Sequence, residues 1–166
     1  MQQAVCGILF ENDKKNIVLI QRRDIPVWVL PGGGLEPHES PEEGVVRELL
    51  EETGYEVRIL YKIADYLPVN KMTQRTHFYA CSAIQGSPTS GPETKAVRSF
   101  ALDALPPLPP PYPHWIRDAL SYQGKPLCKK IEGVTYLILL KLLIQHPILV
   151  GQYLLTKMGW HCNRKW

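Results

Sequence analysis

Three glutamates, Glu48, Glu51 and Glu52, are crowded into one short stretch of this sequence, shortly after a run of glycines at positions 32–34. On an α-helix, residues three and four positions apart lie on the same face, so these carboxylates would point in one direction. Negative charges this close together repel each other unless a cation neutralises them. A hard divalent cation such as Mg²⁺, which takes oxygen ligands, is suited to that role, and the alternative interpretation is an ordinary solvated acidic face.

A helix that carries these glutamates is predicted to begin at Ser40 and to end at Gly54. Ser40 is a suitable N-cap, Pro41 fits the first helical position, and Glu43 completes a capping box. Glycine after the last turn is a common helix stop. The apolar side chains that would anchor the helix to a core lie on the opposite face, at Val45, Val46, Leu49 and Leu50.

The spacing around this helix is more specific than the three glutamates alone. It reads Gly33, five residues, Glu39, seven residues, Arg47-Glu48-Leu49, one residue, Glu51-Glu52, one residue, Gly54-Tyr55. This pattern resembles the Nudix box, G-x5-E-x7-R-E-U-x-E-E-x-G-U with U a bulky apolar residue, and only the aromatic residue at the last position is unusual. The segments QRR, W-x-LPGG and FALDALP also resemble the layout of the Nudix hydrolase family, through about residue 122.

The resemblance implies an α/β Nudix fold, an α/β/α sandwich with a mixed sheet in which the box forms a loop–helix–loop. It also implies a pyrophosphohydrolase that acts on an acid anhydride, a nucleoside diphosphate linked to another moiety, with Mg²⁺ or Mn²⁺ as cofactor. The residues that match the family's metal ligands are the carbonyl of Gly32 and the carboxylates of Glu48, Glu51 and Glu52. Glu39 and Arg47 match its supporting pair of charged residues.

The expected chemistry suits these residues independently of the resemblance. Water must attack phosphorus in a substrate that is itself anionic, and divalent metals screen that charge, activate the water and stabilise the departing oxygen. A carboxylate near the metals can take the proton. Glu51 or Glu52 is the predicted base within the box, and Glu93, in a later loop, is the alternative.

Substrate-binding residues are predicted outside the box as well. Arg22 and Arg23 follow the second predicted strand and could hold phosphates. Trp28 and Phe78 could stack on a base, and Glu93 lies in a loop before a further strand. The alternative for each is structural: strand-end charges, core aromatics and an ordinary loop acid. A small nucleoside diphosphate derivative is expected as substrate, and no specific nucleic acid partner.

Apolar, β-branched runs predict the strands of the sheet. Residues 4–10 and 16–23 are separated by the polar segment ENDKK, which is typical of a hairpin. Further strands are predicted over Tyr55–Leu67 and residues 76–83, with another over residues 95–100. A short helix is predicted over residues 114–122.

Length and composition favour one folded domain with an appendage. The chain has 166 residues, of which 45% are hydrophobic and 21% charged, and these values exclude a disordered protein. Its four cysteines match no metal or redox spacing. Reduced thiols and a cytoplasmic location are therefore predicted.

The chain is predicted to divide into a Nudix domain over residues 1–124 and a basic, apolar helical extension over residues 125–166. The extension contains seven Lys or Arg and one acid, a net charge of +6, which leaves −3 on the rest of the chain. Residues 134–155 are mostly apolar, but His146-Pro147 predicts a break between two helices. The interpretations are helices packed on the domain or on a second copy in a homodimer, a helix at a membrane surface, or a membrane span.

A second function remains open, namely a Nudix-fold module that binds or senses a nucleotide without turning it over. Degenerate boxes are typical of such proteins, whereas the box here is intact, which favours the enzyme. A third function, a Nudix-like isomerase, has no support outside the box.

Overall fold

The computed structural model describes residues 3–11, 13–145, 147 and 151. Their centre is a mixed sheet of seven strands. In chain order the strands are β1 Gln3–Glu11, β2 Asn16–Arg22, β3 Trp28–Val29, β4 Tyr55–Leu67, β5 Arg75–Gly86, β6 Thr94–Ala101 and β7 Leu127–Lys130. The helices are α1 Pro41–Thr53, α2 Tyr112–Leu120 and α3 Tyr136–Gln145.

The strands lie in the order β3-β2-β1-β5-β4-β7, and β6 pairs with β2. The β1–β5 and β4–β7 pairs are parallel and the remaining pairs are antiparallel. Strand β1 is buried along most of its length, because neighbouring strands flank it and helices cover both faces. It therefore offers a rigid support for the loop that precedes α1.

Each face of the sheet is covered by one helix. On one face, Val45 and Leu49 of α1 are fully buried in a cluster that includes Tyr79. On the other face, Trp115 of α2 stacks on Tyr66, with ring centroids 4.6 Å apart. The predicted α/β/α sandwich with a mixed sheet is confirmed.

The local sequence signals produce the elements they predict. Strands β1 and β2 form the expected antiparallel hairpin. The side chain of Ser40 accepts a hydrogen bond from the backbone of Glu43, whose carboxylate accepts from the backbone of Ser40, so the capping box is present. Gly54 ends α1 at a φ of 76°, a left-handed conformation that favours glycine.

Strand β7 is the element that the sequence did not predict. It pairs in parallel with residues 64–67 of β4, and Ile131 directly after it is buried in the core beneath α2. The physical reason is that β7 supplies hydrogen-bond partners to an edge of β4 that would otherwise be open. The helical extension predicted from residue 125 therefore begins as a strand and is helical from Tyr136. The division at residue 124 stays a prediction, and the predicted break at residue 146 lies outside the described residues.

A polar network fixes β7 to the rest of the domain. The hydroxyl of Tyr66 donates to Asp118 of α2 at 2.6 Å, and Lys129 of β7 donates to the other oxygen of Asp118 at 2.9 Å. Lys129 also donates to Glu132 at 3.0 Å. Burial and the hydrogen bond to Asp118 raise the pKa of Tyr66, so its proton stays in place as the donor. The network therefore connects β4, α2 and β7.

Helix α3 follows this anchored strand. Tyr136 and Leu137 of its first turn are exposed, and so are Leu140 and Ile144 further along. Within the part of the chain that the structure describes, no helix is both long enough and apolar enough to cross a bilayer.

If β7 belongs to the fold, the substitution Ile131→Ala should destabilise the protein. Ile131 is only 6% exposed, and removing a buried isoleucine typically costs about 2–4 kcal/mol in the free energy of unfolding. Urea unfolding followed by circular dichroism measures the change. Ile84→Ala is the matched control, since Ile84 is 64% exposed and its truncation should cost less than about 0.5 kcal/mol. Equal effects of the two substitutions would contradict the placement of β7.

Candidate metal and substrate site

The loop before α1 is attached along β1 by backbone hydrogen bonds. Gly7 donates to the carbonyl of Pro31 at 3.0 Å, and Val5 donates to the carbonyl of Gly33 at 2.9 Å. Gly32 has a φ of +151°, and a Cβ atom there would lie 2.3 Å from the carbonyl oxygen of Val5. Only glycine allows the loop to approach the strand this closely. These contacts fix the position of the glycine loop, in which the box begins.

Arg47 of α1 connects this loop to the helix. Its guanidinium donates to both oxygens of Glu39, at 2.7 and 2.9 Å, and to the carbonyl of Gly34 at 3.1 Å. It also donates to Glu48 at 2.9 Å and to Glu51 at 3.4 Å. The Glu39–Arg47 pair that the box spacing suggests is thus present. The hydrogen bonds from Arg47 and from the backbone of Glu36 lower the pKa of Glu39 to about 2.

Two of the three clustered glutamates lean towards the glycines. A Cβ atom at Gly33 would lie 2.6 Å from both carboxylate oxygens of Glu48, so that carboxylate rests directly against the glycine backbone. Glu52 accepts a hydrogen bond from the backbone N–H of Gly32 at 2.7 Å. Glu51 differs from Glu48, because its side chain is 57% exposed whereas that of Glu48 is 13% exposed.

Nearby positive charge compensates the half-buried carboxylates Glu48 and Glu52 only in part. Burial raises the pKa of Glu48 despite its pairing with Arg47. Burial also raises the pKa of Glu52 to about 7, and the charges of Glu48 and Glu93 add to that effect. The backbone N–H of Gly32 and the charge of Arg22 oppose the rise without cancelling it. A cation bound here would supply the missing compensation.

The donor chemistry fits a hard divalent cation. The candidate ligands are carboxylate oxygens and the carbonyl of Gly32, which are the ligand types that Mg²⁺ and Mn²⁺ prefer. The contact of Glu48 with Gly33 is the second indication, since a side chain at that glycine would displace the carboxylate. In the described ranges, however, no three His, Cys, Asp or Glu side chains already surround a common point. Metal binding by Gly32, Glu48, Glu51 and Glu52 therefore stays a prediction.

The loop that carries Glu93 packs against the end of α1. The backbone N–H of Thr89 donates to the carbonyl of Thr53 at 2.9 Å, and a Cβ atom at Gly91 would lie 2.4 Å from the carbonyl oxygen of Glu51. This packing brings the charge of Glu93 close enough to raise the pKa of both Glu48 and Glu52. Glu93 is therefore near the predicted site, although about forty positions separate it from the box in sequence.

Arg23 holds this loop in place. Its guanidinium donates to the carbonyls of Pro92 and Thr94, both at 2.9 Å, and more weakly to that of Gly91 at 3.4 Å. Its backbone N–H donates to the carbonyl of Glu93 at 2.9 Å. The predicted role of Arg23 as a phosphate ligand is not supported by this geometry, because loop carbonyls occupy its guanidinium.

Arg22 is close enough to Glu52 for their charges to interact, but its guanidinium is already paired. It forms a two-point contact with Asp24, at 2.8 and 2.6 Å, and its positive charge acts on Glu52. Its side chain is 42% exposed, so its outer surface is open to a ligand.

The two aromatic candidates have different positions. Trp28 is partly buried, with its ring 4.9 Å from that of Phe100 in an edge-on contact and with Arg98 over it at 5.9 Å. Phe78 is fully buried between Tyr66 and Trp115, so it is a core residue and cannot stack on a base. Trp28 is the aromatic side chain of the two that has surface left to offer a ligand.

Sequence reasoning missed two residues beside Glu52. Burial raises the pKa of both the Cys6 thiol and the Tyr112 phenol, and Glu52 lies close enough to contribute to each rise. Arg22 acts on Tyr112 in the opposite direction. Tyr112 begins α2 directly after a run of prolines, and nothing in that local pattern connects it to the box.

The substitution Glu39→Gln should change how stability depends on pH. The folded-state pKa of Glu39 is below its ordinary value of 4.5, so its contribution is complete above about pH 4.5 and is lost as the pH falls towards 2. The wild type should therefore exceed the variant in unfolding free energy at neutral pH, and the difference should shrink to zero near pH 2. Urea unfolding at a series of pH values measures it. Glu36→Gln, which removes an exposed carboxylate from the same loop, is the matched control, and a Glu39→Gln difference that stayed constant with pH would refute the ion pair.

Comparison with known proteins gives relatives that are named as diphosphatases or pyrophosphatases. A Bacillus subtilis protein provisionally named 8-oxo-dGTP diphosphatase is 34% identical over 99 residues, which cover 60% of this chain and 66% of that protein. A second B. subtilis protein, provisionally named ADP-ribose pyrophosphatase, is 36% identical over 112 residues, 64% of this chain and 53% of that protein. The chain thus spans between about half and two thirds of the length of these curated relatives.

The fold has a solved counterpart in the crystal structure of an ADP-ribose pyrophosphatase from Streptococcus suis. The two share 26% sequence identity and a TM-score of 0.64, over 78% of this chain and 98% of the other. The profile of the family described as the NUDIX domain matches residues 1–122. Since that match covers most of the chain and contains the whole box, this protein belongs to the NUDIX family.

Proposed function

We propose that this protein is a divalent-metal-dependent hydrolase that cleaves the pyrophosphate bond of a nucleoside diphosphate linked to another moiety. The observation that carries the proposal is that two glutamates of α1 contact the glycine loop: Glu48 lies against Gly33, and Glu52 accepts from Gly32. The pair of Arg47 and Glu39 holds that loop to the helix. The family membership and the names of the relatives support the same reaction class.

The box residues would hold Mg²⁺ or Mn²⁺ through the carboxylates of Glu48, Glu51 and Glu52 and the carbonyl of Gly32. When bound, such an ion screens the phosphate charge, activates water and stabilises the leaving oxygen. The protein itself fixes the carboxylates before a ligand arrives, because Arg47 orients Glu48 and the backbone of Gly32 orients Glu52. Glu39 keeps Arg47 in place and has no direct contact with the substrate in this proposal.

The proton of the attacking water is taken by one of three carboxylates, Glu51, Glu52 or Glu93. Glu51 is exposed beside Arg47, Glu52 is bound to Gly32, and Glu93 stands on the loop that packs on α1. Substituting each by Gln and measuring the half-saturating Mg²⁺ concentration separately from kcat distinguishes the roles. A base loses kcat at unchanged metal affinity, whereas a ligand loses both.

The side chains of Arg22 and Trp28 support the proposed substrate class. Arg22 is a permanently charged donor that pairs with Asp24 and keeps 42% of its side chain exposed for phosphate oxygens, and Trp28 offers a partly exposed ring for a base. The names of the relatives suggest a nucleoside triphosphate or ADP-ribose as the first substrates to test.

The described cysteines Cys6, Cys81 and Cys128 are unpaired, which supports the predicted cytoplasmic location.

The substitution Glu52→Gln should lower kcat/KM by at least about a hundredfold, since it removes a carboxylate whose contribution through the metal is on the order of 3 kcal/mol. The assay follows phosphate or nucleotide products from ADP-ribose, 8-oxo-dGTP and related compounds with Mg²⁺ or Mn²⁺, and EDTA should abolish turnover. Glu56→Gln is the matched control, because it removes an exposed carboxylate of β4 a short distance along the chain.

Unfolding measurements on the same samples show whether the Glu52→Gln protein is folded. Full activity of Glu52→Gln on the best wild-type substrate would overturn the metal-ligand assignment. Binding of ADP-ribose without any metal-dependent product would favour the nucleotide-binding module instead.

A further inference from the structure

Helix α3 presents an apolar surface to solvent. Leu137 is 79% exposed and Ile144 is 69% exposed, and Tyr136 and Leu140 are also exposed. The other two helices behave differently, because α1 buries Val45 completely and α2 buries Trp115. Contiguous exposed apolar surface of this kind usually marks a site of interaction.

Four of the five exposed apolar side chains that the structure describes on α3 form one stripe, and the fifth, Ile138, lies outside it. At 100° per residue, Tyr136, Leu140, Ile144 and Leu137 fall within an arc of about 100° on one side of the helix. Lys141 and Gln145 follow next around the helix, and both are exposed. The stripe therefore has a polar border on one side, and Lys141 gives that border a positive charge.

Segments near α3 also expose apolar and basic side chains. The side chain of Asn70 donates to the carbonyl of Val134 at 2.7 Å, which places the loop between β4 and β5 beside the start of α3. That loop exposes Lys71 and the long apolar side chain of Met72. Lys130, at the end of β7, is exposed as well. Apolar and basic side chains therefore occur together on two separate segments of this end of the molecule.

The charge of the extension identifies the partner. Residues 125–166 carry a net charge of +6, and Glu132, their single acid, is already bound to Lys129 and close to His114. In a symmetric dimer that pairs two α3 helices antiparallel, the basic border of one helix would lie beside the identical border of the other. An anionic lipid surface complements both the positive charge and the apolar stripe.

We propose that α3 and the basic residues around it attach this protein to the surface of an anionic membrane. In this arrangement Leu137, Leu140 and Ile144 enter the boundary between headgroups and acyl chains, and Lys130 and Lys141 contact anionic headgroups. The attachment is independent of the proposed hydrolysis, because it uses none of the residues of the box.

The test is sedimentation of the full chain with vesicles of phosphatidylcholine, with and without phosphatidylglycerol. Wild-type protein should bind the anionic vesicles more tightly, and added salt should weaken the binding. Ile144→Gln should weaken binding to anionic vesicles about tenfold, through the loss of a buried apolar side chain. Lys141→Gln should weaken it about fivefold on anionic vesicles and leave binding to neutral vesicles unchanged.

The matched control is Ile84→Gln, because Ile84 is similarly exposed, at 64%, but lies on β5. It should bind vesicles as the wild type does, and light scattering should show all variants to be the same size. The proposal is overturned if the wild type ignores anionic vesicles or if Ile84→Gln loses as much binding as Ile144→Gln. It is equally overturned if Ile144→Gln converts a stable dimer to a monomer, since a second copy then covers the stripe.

Discussion

The candidate site depends on the hydrogen bonds and ion pairs of the Arg47 guanidinium. It binds a carbonyl of the glycine loop, both oxygens of Glu39 and one oxygen of Glu48, so a single side chain fixes the loop, its supporting acid and a predicted metal ligand. The rigid, permanently charged fork of arginine is suited to this, and lysine could not make the same contacts together. The backbone of the loop is independently attached to β1, where Gly32 allows the close approach. The helix, the loop and the central strand therefore act as one rigid unit.

In this unit the negative charge of the carboxylates exceeds the positive charge around them. Arg47 compensates Glu39 well enough to lower its pKa to about 2, whereas Glu52 remains buried beside other acids and has a pKa near 7. The excess grows because the loop held by Arg23 brings Glu93 to the same place. A folded protein tolerates buried like charges when a function requires them, and a divalent cation together with an anionic substrate is a combination that would restore the balance.

The region around β7 and α3 is organised by a different polar contact. Asp118 accepts from Tyr66 and from Lys129, which attaches β7 to the sheet and fixes the position from which α3 starts. The extension is therefore not a loose appendage at its beginning, because Ile131 fills part of the core. Helix α3 follows this anchored strand at the β7 edge of the sheet, whereas the box loop is attached to β1, so the proposed membrane contact and the box use different parts of the fold.

The sequence by itself determined the parts of this protein that depend on near neighbours. The caps of α1, the β1–β2 hairpin and the box spacing are local patterns, and Glu39 and Arg47 are separated by only about two helical turns of chain. Tertiary structure decided the rest. Strand β7 has no strand signal of its own and forms because β4 offers an open edge, and Phe78 is a core residue because α2 covers it. Arg23 faces loop carbonyls, and Tyr112 and Glu93 approach Glu52, only because distant segments pack there. Such contacts follow from the path of the whole chain, which local periodicity does not encode.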